Sequence, residues 1–235
     1  MTSAYRLLIS TLLTKGRLIF LGLLGLLPVL LAITMRAGSS SVPVDHVYDA
    51  IVVGYGLGLL VPVVSLVFAS AALGDPAEDR TLVYLWLRPV ARWKLALAGL
   101  AAALSVSLPL AVVPLAVAVS VTGASAALVR GAVASSVLAV VAYCSLFLGL
   151  GLRVRRALVW GLAYVLVWEG AVARTARGAA RLSINVHART VLAHLADHAL
   201  PKNASSWATA LIVPLVFTVV AWLLTVRWLS RGDVA

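Results

Sequence analysis

Ionisable side chains are scarce in this chain, 19 Lys and Arg and 8 Asp and Glu among 235 residues, so chemistry is confined to the few places where they gather. The densest mixed-charge run is Gly74–Trp93, set between two strongly apolar stretches. Asp75 has the side chain of a helix N-cap, Pro76 suits a first helical turn, and Glu78 is spaced to reach back as a capping-box acid. The Arg88-Pro89 pair ends such a helix. Leu82, Leu85 and Trp86 then share one face at three-and-four spacing, with Glu78, Asp79 and Arg80 at its start and Arg88 and Arg92 beyond it. This is docking chemistry: an apolar face to pack, and charges to orient a soluble partner.

Glu169 is the one acid inside an apolar run, and a carboxylate at such depth faces protein or water. Two roles are open to it: a structural ion pair with Arg174 or Arg177, or direct involvement in an outer gate or a passage. His187, His194 and His198 recur at intervals of seven and four, with Asp197 nearby, and on one helical face they could hold a metal. A zinc protease is excluded, because Leu195 follows His194 where that motif needs glutamate. A polar face on an interfacial helix accounts for the same spacing. No nucleotide site is encoded, since none of Lys15, Lys94 and Lys202 follows a G-x-x-x-x-G pattern. Gly54, Gly56 and Gly58 lie within a hydrophobic run and read as helix packing.

The elements that must position these residues follow from composition. At 63% hydrophobic and 11% charged residues, with a mean hydropathy of +1.06, the chain has too little polar surface for water and must use lipid as its solvent. The formal charge of +11 does not point to nucleic acid, because Lys and Arg flank the apolar runs in the topogenic pattern. Cys144 is the sole cysteine and falls in an apolar run, which leaves no disulfide framework or cysteine metal site.

The expected fold is all-α: a polytopic membrane protein with six transmembrane helices at about Ile19–Met35, Ala50–Leu73, Leu95–Val121, Val129–Leu152, Ala157–Ala173 and Ala208–Trp228. The first and fifth are near the short limit. Residues 1–17 read as a helix in the interface, with Tyr5, Leu8, Ile9, Leu12 and Leu13 on its apolar side, followed by an uncleaved anchor and not a secretory signal. Residues 174–207 read as an extracellular loop with short amphipathic helices between spans five and six. Placing both termini in the cytosol puts 12 basic residues inside and 7 outside, the favoured orientation. Pro28, Pro62, Pro109, Pro114 and Pro214 interrupt spans, and neighbouring helices must satisfy the carbonyls they free.

The run Glu78–Arg92 is similar to a pattern of the type-two permeases of ATP-binding-cassette (ABC) exporters: an acid, a Gly-Thr or equivalent pair, a leucine-rich turn, then Pro and Arg before the third span. Arg80 stands where glycine is common in that family. Val165–Gly170 and Arg181–His187 resemble a subgroup often grouped with copper-enzyme maturation permeases. The likeness covers nearly the whole chain as one permease domain, 1–235. It implies that residues 74–94 form the coupling segment that touches nucleotide-binding subunits, and that the outer loop closes the exit. It also implies two separate ATPase subunits carrying ATP and Mg, and a second permease, identical or homologous, in the cell (inner or plasma) membrane. The chain itself would hold no cofactor and would not be an enzyme. Uniformly aliphatic span faces suit a lipid-like or amphipathic cargo. A membrane scaffold that recruits a cytosolic protein through the same segment is the alternative, and a secondary transporter using Glu169 ranks behind it.

Overall fold

A computed structural model describes residues 2–38, 42–78, 91–173, 177–201 and 203–231, and all regular structure among them is helical. In chain order the helices are α1 (Thr2–Leu12), α2 (Lys15–Gly38), α3 (Val44–Glu78), α4 (Arg92–Val121), α5 (Ala126–Arg153), α6 (Ala157–Val172), α7 (Arg177–Ala180), α8 (Ile184–Ala196) and α9 (Trp207–Arg231). Five of them, α2, α3, α4, α5 and α9, are long and apolar enough to cross a membrane. The expected fifth crossing is the shorter α6: seven α-helical residues followed by nine in wide π-type turns. Such turns advance less per residue, so the apolar run overstates the reach of the helix. The first 14 residues of α3 after His46 are wound the same way. Extended π winding is rare and concentrates at functional sites.

Packing sets α3 and α5 at the centre. Their most apolar windows are each 61% buried, against 22% for α2 and 17% for α9, whose Ile19, Phe20, Leu23, Ile212 and Val216 stay exposed for lipid or another subunit. Contacts between helix ends divide the bundle in two. At the proximal end α2, α4 and α6 begin and α3, α5 and α9 finish. Arg17 pairs there with Asp75, Arg92 reaches Leu229, and the α3 terminus faces Gly151–Arg156. At the distal end α3 and α5 begin beside α8.

The α3–α5 crossing depends on glycine. A Cβ on Gly151 would sit 2.7 Å from Ser70 Cα, and one on Gly74 would sit 3.0 Å from the Gly151 carbonyl oxygen. Any larger side chain would push the two central helices apart at the proximal end.

Two of the prolines have their freed carbonyls answered by side chains. Pro28 has no N–H to bond Leu24 O, and Tyr55 Oη donates to that oxygen at 2.6 Å, tying α3 to α2. In α3, Val61 N–H still follows the π register and bonds Gly56 O, so the next residue, Pro62, leaves Leu57 O without a backbone donor. Asn185 Nδ2 supplies the missing hydrogen bond at 2.7 Å. The expectation that neighbours would satisfy interrupted spans is met here by identifiable donors.

The leader differs in extent from its sequence reading. Helix α1 stops at Leu12 and a new helix starts at Lys15, so Lys15 and Arg17 belong to the first span. Leu8 and Leu12 are fully buried as their spacing predicts, Leu13 lies outside the helix and is exposed, and Tyr5 Oη donates to Ser105 of α4.

Candidate functional site

Two sites carry the chain's polar chemistry, one at each end of the bundle. At the proximal end, the expected helix start at Asp75 is corrected. Helix α3 runs through Asp75 and Pro76 and is described as far as Glu78, so Asp75 lies within a helix and does not start one. Apolar packing of α3 on α5 carries the helix beyond the boundary that the capping residues indicated. Arg17 Nη2 pairs with the Asp75 carboxylate, 2.8 Å from Oδ2. Arg92 Nη1 donates to Leu229 O at 3.2 Å, a cation on the last carbonyls of α9. At the same end a cavity of about 1020 Å³ opens, lined by Ala77, Glu78 and Gly151–Arg156. The α5–α6 turn beside it brings Arg153, Arg155 and Arg156 together, Arg156 adopting a left-handed conformation (φ 60°) to start α6. Of the expected coupling residues, Asp75, Glu78 and Arg92 are therefore at this end. Asp79, Arg80, Leu82, Leu85, Trp86 and Arg88 lie outside the described residues.

Within the bundle, Glu169 is buried in the π-wound half of α6. Its Oε1 accepts from Ile184 N–H at 3.0 Å and from Tyr164 Oη at 3.3 Å, and its Oε2 accepts from Ser183 Oγ. Ser183 Oγ in turn accepts from Val186 N–H at 3.1 Å, a regular N-cap. The carboxylate thus clamps the first turn of α8, where a negative charge meets the positive end of the helix dipole. Of the expected arginine partners, Arg174 and the Arg177 side chain lie outside the described residues; the described partners of Glu169 are Tyr164, Ser183 and Ile184.

Helix α8 enters the bundle instead of lying on its surface. Asn185 meets Leu57 well inside α3, Leu192 O would be 3.1 Å from a Cβ on Gly131 of α5, and beyond the helix His198 stacks on Tyr48 at 3.9 Å. Ile184, Asn185, His187, Ala188, Thr190, Val191, Leu192 and Ala193 are buried. This corrects the expected polar histidine face: His187 is buried together with Val191, while Leu195 is 36% exposed. Each histidine has its own partner. His187 Nδ1 lies 2.7 Å from Ser183 O, His194 Nδ1 lies 2.8 Å from Thr190 O, and His198 Nε2 lies 3.7 Å from Asp45. Among the described residues no three metal-ligating side chains come together.

Sequence reasoning missed Tyr55, Tyr164, Ser183 and Asn185. Ser183 carried an N-cap signal just before Ile184, and Pro62 announced an orphan carbonyl without saying which donor would answer it.

The model of the family described as ABC-2 family transporter protein matches residues 14–175. The chain belongs to that family. It is accordingly a multi-pass transmembrane subunit of an ABC transporter, and membership implies partnership with ABC ATPase subunits in general. The match spans α2 to α6 and includes Gly151 and Glu169, whereas α8 and α9 of this permease lie beyond it. No curated protein and no solved structure matches the chain.

Proposed function

We propose that this permease is the membrane half of an exporter for lipid-like or amphipathic cargo. Two separate nucleotide-binding subunits would hydrolyse ATP with Mg, and a second permease, identical or homologous, would complete the pathway. Both termini face the cytosol in this reading, because the proximal end holds the larger share of the basic residues. One observation carries it above the others: the last described residues of α3 and the α5–α6 turn line one cavity carrying Glu78, Arg153, Arg155 and Arg156. Arg92, where α4 begins, bonds Leu229 at the same end of the bundle. A subunit docked on the cavity has access to α3 and to the α5–α6 turn together, and the glycine crossing joins α3 to α5.

Docking alone moves nothing. ATP binding shifts the permease between inward-facing and outward-facing states only if the partner's contacts differ between them, and reversing a 1:99 bias takes about 5.5 kcal/mol of differential interaction. Glu78 and Asp79, at the start of the segment, set the orientation of the partner, and the Leu82, Leu85 and Trp86 face packs against it. Joint Glu78→Lys and Asp79→Lys substitution, measured in the reconstituted complex, is expected to lower cargo-stimulated ATP hydrolysis at least about tenfold, the effect of losing about 1.4 kcal/mol. Normal membrane insertion together with unchanged stimulation would remove the assignment.

A further inference from the structure

Two cavities meet between the start of α8 and the distal half of α9. The first, about 260 Å³, is almost wholly apolar, walled by Ile184, Ile212, Val216, Phe217 and Val220. The second, about 630 Å³, is mixed, with Arg181, Asn203, Ser205 and Thr209 among apolar side chains on its walls. His187 and Val213 line both, so the two are adjacent. Their order matches the bilayer: the apolar slot reaches toward mid-helix Val220, and the chamber that holds Arg181 and the polar side chains lies nearer the end of α9 that starts at Trp207. Arg181 is exposed and pairs with no carboxylate among the described residues. Ser205 Oγ is buried without a hydrogen-bond partner. A guanidinium, an amide and unused hydroxyl capacity above a dry slot complement a phosphate joined to an aliphatic chain.

The geometry points to a binding site for one anionic phospholipid of the bilayer, with an acyl chain in the α8–α9 slot and its phosphate at Arg181. The site rests on this chain alone and binds whether or not the complex transports lipid. The charge balance of residues 174–205, five bases to the single acid Asp197, favours an anionic headgroup over a zwitterionic one. His187, already bound through Nδ1 to Ser183 O, lines both cavities.

Native mass spectrometry of the purified full chain tests this directly, with phosphatidylglycerol and phosphatidylcholine of identical chains titrated in turn. Phosphatidylglycerol is expected to bind about tenfold tighter. Arg181→Gln should abolish that preference, whereas Arg227→Gln, the same charge change on an exposed residue at the opposite end, should leave it intact. Val213→Trp, which fills the junction of the cavities, should weaken both lipids at least about tenfold. Chain-free glycerol 3-phosphate should fail to displace bound lipid at a hundredfold excess. Equal binding of the two lipids, identical behaviour of the two arginine variants, or displacement by glycerol phosphate would each overturn the proposal. A dimer lost on Val213→Trp with no lipid adduct in the wild type would assign the groove to a second copy and overturn it equally.

Discussion

The Asn185–Leu57 contact allows a test in which one substitution repairs the damage of another. Leu57 O is orphaned because Pro62 has no N–H in the π register that Val61 still follows, and Asn185 Nδ2 is its described donor. Asn185→Ala leaves a buried carbonyl without a partner, at a cost of about 1–3 kcal/mol. In a chain of this size that corresponds to a fall of roughly 2–10 °C in melting temperature. Pro62→Ala restores a backbone N–H in the place where it was missing, so the same Asn185→Ala change in that background should cost only a few tenths of a kcal/mol. The double-mutant cycle should therefore show a coupling energy of about 1–2 kcal/mol, well above the scatter of about 0.5 kcal/mol for independent sites. Melting of the four detergent-solubilised proteins, followed by tryptophan fluorescence, supplies the comparison. If Asn185→Ala costs as much in the Pro62→Ala background as in the wild type, the missing proline N–H is not what the amide side chain replaces, and the account of α8 docking is wrong.

Glu169→Ala removes the acceptor of Ile184 N–H and Ser183 Oγ together, so it should lower the local stability of the first turn of α8 by about 3 kcal/mol. Hydrogen exchange at Ile184 should then accelerate about a hundredfold; Glu169→Gln, which keeps Oε1 as an acceptor, should give about tenfold, and protection unchanged in both variants would refute the clamp. Gly151→Ala places a methyl group against Ser70 Cα at 2.7 Å and should destabilise the bundle by about 1–3 kcal/mol through overpacking. Gly22→Ala, which meets nothing within 4 Å, is its control, and equal melting temperatures for the two would show that α3 and α5 do not cross as described.

Most of the bundle was legible because lipid imposes a simple rule. A run of about 20 apolar residues with no water around it must be helical, and the spans at Leu95–Val121 and Val129–Leu152 fall inside the observed α4 and α5. The boundaries failed where packing overrode capping signals: Asp75 and Pro76 look like a helix start, yet α3 continues through them to Glu78. Reach failed in α6, because winding geometry is not visible in hydropathy and nine residues there take wide turns. Helix α8 was the largest miss. Its buried side carries Asn185, His187 and Thr190, polar residues whose partners are a proline-orphaned carbonyl and the helix's own backbone, and a hydropathy pattern scores such a face as wet. Glu169 is buried, as its depth in an apolar run leads one to expect, but its Ser183 and Ile184 partners follow it by 14 and 15 residues, a separation that spacing does not reveal.

Proline and winding together explain why α3 is built in two halves. Pro62 leaves one carbonyl orphaned whichever way the helix is wound: Leu57 O in the π register, Gly58 O in the α register. Asn185 bonds the first, so π winding presents the oxygen that holds α8. In an α register Val61 N–H would take Leu57 O for itself, and Asn185 would lose its acceptor. The winding of α3 and the seating of α8 are thus linked by one hydrogen bond of 2.7 Å. The other end of the same helix is fixed to α5 at Gly151 and to α2 through Asp75 and Arg17. Spatial continuity alone does not make a coupling pathway; a two-state element biased from both ends does. In the described structure the distal half of α3 has one winding, and the seating of α8 on Leu57 O depends on it.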